Sequence, residues 1–444
     1  MHQQQHQGIT ELVPSQSPVL VTRSPGRSGL QVRHFGRAAP QCLMLEYEDA
    51  LSRVLALMPI AKPERVALAA AHRRILTEQI AAPINLPPFD NSAVDGYAVR
   101  SKDTAGASSG SPKPSRLCGR VPAGESSLAT VEAGCCVRVF TGSPLPPGAD
   151  AVVMQEDMRV DSAQPEMVLF TDSAKPWENV RFAGEDVKRA TVVGESGQDL
   201  GAGRLNLLAA LGLTHLSVGT RPVTGLLASG SELAEGAQPL LPGGIYESNR
   251  TGLAALIAEA GGTARVFPLV KDTPDETRRA LATAFADCDV VVTSGGVSVG
   301  EADYIKSAFT DVGGKLDFWR VAIRPGRPFV FGEWNGKFLF GLPGNPVSAF
   351  VTFLLLVRPA LRRWQGAVET GLPRQMGTLS EALSNPGNRR HFMRVRVDEA
   401  GTVRSAGAQD SHMLGSLACA NGLVDVPPAT TIPSGSAVQV LRWE

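Results

Sequence analysis

The chain has no excess of charge of either sign, since Lys plus Arg and Asp plus Glu each number 43 in 444 residues. That balance removes the broad electrostatic signature of a protein that lives on nucleic acid or an anionic membrane, so any anion it binds must be bound locally. Cysteine is sparse: the six residues Cys42, Cys118, Cys135, Cys136, Cys288 and Cys419 form no C-x-x-C pair, and no histidine is spaced to complete a zinc site. They read as reduced thiols in a cytoplasmic protein, with adjacent Cys135 and Cys136 on opposite faces of a strand. Long apolar runs are also missing. The longest, Val347 to Val357, is interrupted by Ser348 and Thr352 and falls short of the ~20 residues of a membrane span, so it reads as a buried helix. Hydrophobic residues at 43% against charged residues at 19% are enough to build several cores, and the length implies two to four domains. The 46 glycines and 32 prolines follow no G-X-Y period and point to many turns and short strands.

Residues 1–41 hold Gln/His-rich and Ser/Pro/Arg-rich stretches without apolar periodicity and are expected to be disordered, with Met44 an alternative initiator. Periodic structure starts at Leu45, and Ala50, Leu51, Val54, Leu55 and Met58 mark one face of a helix. Short strands between Gly/Pro turns occupy 81–183, as at Val137–Thr141 and Ala151–Gln155. The segments on either side, 42–80 and 184–218, thus read as flanking an inserted domain. From 219 to 370 strands alternate with helices, which argues for a parallel sheet covered on both faces. Within it Thr273-Pro274-Asp275-Glu276 reads as an N-cap, a proline at the first helical position and a capping-box acid. Asn345-Pro346 caps the buried helix. Strand alternation returns over 371–444, clearest at His391–Val397 and Ala437–Leu441, and predicts a small β-barrel or sandwich.

The sharpest local signal is Thr293-Ser294-Gly295-Gly296-Val297-Ser298-Val299-Gly300, between a predicted strand and a predicted helix. Glycines there let the backbone approach an anion, and the helix N-terminus offers free N–H groups, so a phosphate-like group belongs at this loop. It is neither a Walker A loop nor a G-x-G-x-x-G loop, and the bland alternative is a tight turn. Glu232, Asp272 and Asp303 each follow a predicted strand and should gather at one sheet edge, where carboxylates beside phosphates hold a hard cation such as Mg²⁺. Singly, each reads as a solvated loop acid. Arg320 and Arg324 share a strand face by alternation, and Pro325-Gly326 turns Arg327 back nearby, a cluster suited to a multivalent anion. The stretch Asp90 to Val99 reads by composition as an Asx-rich turn entering a strand. His72, His215, His391 and His412 stand singly, and spacing supports no Ser-His-Asp or Cys-His pairing.

In order along residues 44–444 run Pro88-Phe89-Asp90-Asn91-Ser92-Ala93-Val94-Asp95-Gly96-Tyr97-Ala98-Val99-Arg100, Thr141-Gly142 with Pro147-Gly148-Ala149-Asp150-Ala151-Val152-Val153, Gly184-Glu185-Asp186, Thr293 through Tyr304, and Gly341-Leu342-Pro343-Gly344-Asn345-Pro346-Val347-Ser348. This ordered set resembles the MoeA family of molybdopterin molybdenumtransferases, to which the E domain of gephyrin is related. The resemblance implies a discontinuous small α-containing domain built from 42–80 and 184–218, an elongated β domain inserted into it, a three-layer α/β molybdopterin-binding domain and a C-terminal β-barrel, assembled as a homodimer. It implies insertion of molybdate into the dithiolene of adenylylated molybdopterin with release of AMP, requiring Mg²⁺, with the molybdopterin adenylyltransferase as a candidate partner. By motif it implies that Asp95, Thr141, Asp186 and Asp303 are catalytic. Glu232, Asp272 and Asp303 would hold the metal. Ser294, Gly295, Gly296, Ser298, Gly300, Arg320, Arg324, Arg327, Pro343, Gly344 and Asn345 would bind substrate. The family commonly has lysines where these arginines stand, and an Asp where Ser231 precedes Glu232. Competing readings are a molybdopterin adenylyltransferase, whose fold and phosphate loop the α/β segment resembles, and a non-catalytic gephyrin-like scaffold.

Overall fold

The computed structural model describes residues 44–125, 130–161, 163–297 and 304–443. The expected disorder of residues 1–41, and Ser298, Gly300 and Asp303 of the glycine loop, lie outside the described residues.

Helix α1 (Tyr47–Leu57) forms where the apolar spacing places it, and it buries Ala50 and Val54. Its apolar face packs into the core that also holds Phe353–Val357 of the long apolar run. The residues just after it behave differently. Pro63–Ala67 pairs antiparallel with His215–Gly219, and a separate cluster joins Ala71, Leu76 and Ile80 to Leu200, Leu208 and Leu216 around α2 (Ala202–Ala210).

Between these segments, β1 (Gly96–Val99), β2 (Lys113–Val121), β3 (Cys135–Val139), β4 (Ala151–Met154), β5 (Met158–Asp161) and β6 (Gln164–Phe170) form a six-stranded sheet in the order β4-β1-β3-β2-β6-β5. Only β2 and β3 run parallel within it.

The next unit alternates β7 (Val223–Ala228), α3 (Asn249–Glu259), β8 (Thr263–Val266), α4 (Pro274–Asp287), β9 (Val290–Ser294) and α5 (Ile305–Asp311). It continues with β10 (Lys315–Arg320), β11 (Pro328–Trp334) and β12 (Lys337–Leu342). The strand order is β8-β7-β9-β12-β11-β10. Every residue of β9 is buried, as a central strand covered by helices on both faces requires. The sheet is mixed rather than wholly parallel: β12, β11 and β10 are antiparallel neighbours at one edge. The cause is the Asn335-Gly336 turn, both residues at positive φ, which folds β11 directly back into β12 as a hairpin. Phe318, Phe329, Phe331, Phe338 and Phe340 pack as a ladder on these strands, each buried side chain contributing on the order of 2 kcal/mol.

Two helix-terminus expectations are modified. Thr273 Oγ1 accepts from Glu276 N at 3.3 Å, but the Glu276 carboxylate pairs with Arg279 at 3.0 Å, so only half of the capping box forms. Asn345 precedes Pro346–Thr352 (α6) without a side-chain cap, and its amide nitrogen donates to Ser411 instead. The apolar run continues as a widened π turn, Phe353–Val357, into α7 (Arg358–Trp364). Pro359 has no N–H to give Leu355, which accounts for the widening.

The chain closes as β13 (Arg374–Leu379), β14 (Arg390–Val397), β15 (Thr402–Ser405), β16 (Gly422–Val426) and β17 (Ala437–Arg442). Their order β14-β15-β13-β17-β16, with β16 pairing back to β14, makes a closed five-stranded barrel. Its interior is filled by residues such as Val395, Val403, Val424 and Val440.

Candidate functional site

At the C-terminal ends of β7 and β9 the loops open into a cavity of about 1000 Å³, the position where parallel strands of an α/β sheet leave a crevice. The chain reverses there at Gly295, whose φ of +91° suits glycine alone, and a Cβ would stand 2.6 Å from Ser229 O. Asn249, the first residue of α3, donates one amide nitrogen to Ser294 Oγ and Gly344 O, each at 2.7 Å. It therefore locks the end of β9 to the loop after β12. Asn345 uses its amide to reach Ser411 Oγ at 2.8 Å, tying that loop to the barrel.

Positive charge enters from a different direction. Arg324, Arg327 and Arg389 all line the cavity. The turn between the first two is made at Gly326, φ +107°, pressed so close to Thr352 that a Cβ would lie 2.2 Å from its Cγ2. Arg389 donates to Ile323 O at 2.9 Å, which holds its guanidinium against the Ile323–Arg324 strand. Burial, then the charges of Arg327 and Arg324, push Arg389 below an ordinary arginine. The nearest compensation is Asp410, whose Oδ1 is 3.9 Å from Arg324. Three guanidiniums gathered on this side of the cavity give it the local positive charge that suits a multivalent oxyanion.

Glu232 and Asp272 also line the cavity, and Ser231 N donates to Asp272 Oδ2 at 3.0 Å. Among the described residues no group of three or more His, Cys, Asp and Glu is placed to hold a metal. Two carboxylates do fit the habit of Mg²⁺, which takes one or two protein oxygens and completes its octahedron with water and substrate phosphate.

Of the residues singled out in the sequence, the cavity brings together Ser294, Gly295, Gly296, Glu232, Asp272, Arg324, Arg327, Pro343, Gly344 and Asn345. Arg320 does not line it. Strand alternation fails between Arg320 and Arg324 because β10 ends at Arg320 in the α/β sheet, whereas Ile323–Arg324 pairs with β14 of the barrel. Asp95, Thr141 and Asp186 do not line it either: the first two sit on the inserted β segment, and Asp186 lies in the loop just past its end. There Thr141 N and Oγ1 donate to Asp95 Oδ1 at 2.8 and 2.9 Å, and these bonds, backbone first, with Arg138 beyond them, hold the Asp95 carboxyl below its usual range. Asp90 Oδ1 accepts from Ala183 N at 2.7 Å, which ties the Asp90–Asp95 stretch to the exposed loop carrying Asp186. The missed cavity residues include Asn249 and Glu247 and, from the barrel segment, Arg389, Gln409, Asp410, Ser411 and His412. Their isolated polar positions carry no period that would aim them at a loop far away in the chain, 45 residues on for Asn249 and roughly one hundred residues back for the barrel residues.

Three family descriptions match in order: the MoeA N-terminal region (domain I and II) over residues 45–212, a probable molybdopterin binding domain over 225–363, and the MoeA C-terminal region (domain IV) over 376–443. A Mycobacterium tuberculosis protein named molybdopterin molybdenumtransferase 2 is 39% identical over 402 residues, covering 88% of this chain and 98% of that one. The Haemophilus influenzae molybdopterin molybdenumtransferase is 36% identical over 384 residues, covering 85% and 93%. Among solved structures, a molybdopterin biosynthesis MoeA protein from Pyrococcus horikoshii superposes with a TM-score of 0.77 at 29% identity, covering 90% of this chain and all of that one.

Proposed function

The chain belongs to the MoeA family, and on that premise we propose that it is a molybdopterin molybdenumtransferase, inserting molybdate into the dithiolene of adenylylated molybdopterin and releasing AMP. The observation that carries this reading is the convergence of Gly295, Asp272 and three arginines on one cavity. A glycine turn suits the phosphates of the nucleotide, and Arg324, Arg327 and Arg389 suit the tetrahedral dianion molybdate. Holding both substrates in one crevice turns a reaction between two anions into a local rearrangement. Glu232 and Asp272 would hold Mg²⁺, with Asp303 as a third carboxylate by motif. When bound, the ion supplies charge neutralisation at the phosphoanhydride.

Asp95, Thr141 and Asp186 belong to the catalytic set by motif and lie off the chain's own cavity. That separation supports a homodimer in which the β segment of one protomer completes the site of its partner. Hydrogen-bonded as it is, Asp95 stays ionised at neutral pH and can orient or accept a proton from an attacking water. No described helix is long and apolar enough to cross a membrane. The reduced cysteines support a cytoplasmic setting, where the molybdopterin adenylyltransferase would deliver the substrate.

The test supplies purified protein with adenylylated molybdopterin, molybdate and Mg²⁺, and in parallel with molybdopterin and ATP. AMP release with molybdenum incorporation in the first mixture, abolished by EDTA and restored by Mg²⁺, supports the reading. Turnover only in the second would instead identify an adenylyltransferase, and turnover undiminished in metal-free buffer would remove the magnesium.

A further inference from the structure

We propose that Cys118 and Cys135 form a modification site, a thiol pair that hydrogen peroxide converts to a disulfide stapling β2 to β3. Their sulfurs lie 2.6 Å apart, within about 0.6 Å of the ~2.05 Å of an S–S bond. The local backbone explains the approach. Strands β2 and β3 run parallel with Arg116 opposite Cys135 and Leu117 opposite Cys136, but the next partners are Gly119 and Val137, so Cys118 sits in a bulge with no residue opposite. An unbulged register would set Cys118 opposite Val137, two positions along from Cys135. The bulge instead lets its side chain lean back over Cys135.

The surroundings divide the roles. Cys118 is half-buried and Cys135 is 6% exposed, so a small oxidant meets Cys118 first. Cys136 points to the other face, among Val99, Val153 and Phe170, where burial pushes its thiol up to about 12 and removes it from the chemistry. Arg116 Nη2 stands 3.8 Å from Cys135 Sγ and favours thiolate at the pair. Burial, then the contact with Cys135, still hold the Cys118 thiol above its ordinary value against that pull. Oxidation therefore quickens as pH rises.

The balance is that of a two-electron oxidation. The Cys118 thiolate attacks one peroxide oxygen, the O–O bond breaks, and the leaving hydroxide takes up the thiol proton to become water. Cys135 sulfur then attacks the resulting sulfenic acid, the S–O bond breaks, and its oxygen leaves with the Cys135 proton as a second water. The second step needs almost no motion, because the sulfurs are already in contact. Thiol reductants reverse it.

To test this, the reduced full-length chain is treated with peroxide, blocked with N-ethylmaleimide in denaturant, and digested with trypsin. Peptide Leu117–Arg120 should be recovered linked to Val121–Arg138, with one maleimide on Cys136 and about 2 Da lighter than the two peptides carrying that same single label, and dithiothreitol should separate them. Fragmentation should place the bond at Cys135. Cys136→Ser should keep the crosslink, whereas Cys118→Ser and Cys135→Ser should lose it with the fold intact by circular dichroism. Exposed Cys419 reports that oxidant reached the protein. Cys118 and Cys135 both fully labelled once Cys419 is oxidised would overturn the proposal, and so would a bond mapped to Cys136.

Discussion

Thr141 gives two hydrogen bonds, from its backbone N–H and its hydroxyl, to the same carboxylate oxygen of Asp95. The pair joins the start of β1 to the segment leaving β3, and it is the reason a partly exposed aspartate has a fixed orientation and a depressed pKa. Thr141→Val removes the hydroxyl and keeps the N–H, so the Asp95 carboxyl should rise part of the way to its ordinary value. The acid limb of the kcat profile should move to higher pH, and kcat should fall on the order of tenfold to a hundredfold through misorientation. Thr141→Ser should restore both. A kcat loss with an unmoved acid limb would mean that Asp95 is not the titrating group.

Arg389 is expected to bind the oxyanion alongside Arg324 and Arg327. Arg389→Ala should weaken molybdate binding by roughly tenfold to a hundredfold, the value of one or two charge-assisted hydrogen bonds. Arg389→Lys should recover only part of it, since a point charge cannot reproduce the planar fork. Titration calorimetry with molybdate, at constant ionic strength, reads the difference.

His391 should make the barrel acid-sensitive. It is 2% exposed and neither ring nitrogen has a partner. Burial, then the charges of Arg324, Arg394 and Arg389, lower its pKa to about 4, with Asp410 the one opposing group. Above about pH 6.5 both folded and unfolded chains leave it neutral. Between about 6.5 and about 4 only the unfolded chain takes the proton, so stability falls with pH by up to about 1.4 kcal/mol per unit. His391→Phe should therefore lose about 2 kcal/mol less than wild type between pH 7 and pH 5 in urea unfolding. Equal losses would show that the histidine titrates normally.

If the β segment completes the partner's site, lesions should complement. Asp95→Ala and Arg327→Ala homodimers should each be nearly inactive, but a mixed dimer concentrates both lesions in one site and leaves the other intact. Random exchange makes about half the dimers mixed, so about a quarter of wild-type turnover should return. No recovery after verified exchange would place Asp95 and Arg327 in one protomer's site.

The amino-acid order by itself determined whatever depends on a short period or a local turn. The face of α1, the buried apolar run, Thr273 as the cap of α4 and the strand-to-helix position of Ser294-Gly295-Gly296 all follow from spacing within a dozen residues. So did the convergence of Glu232 and Asp272, because strand ends of a parallel sheet share one edge. Tertiary structure decided what depends on which sheet a segment joins. Arg320 and Arg324 are separated although four residues apart, since the chain changes sheets between them. Arg389 meets Arg327 although sixty-two residues apart, since barrel strand β14 begins beside Ile323–Arg324. Side-chain alternation is a property of one continuous strand, and it carries no information past the end of that strand or between elements whose pairing is long-range.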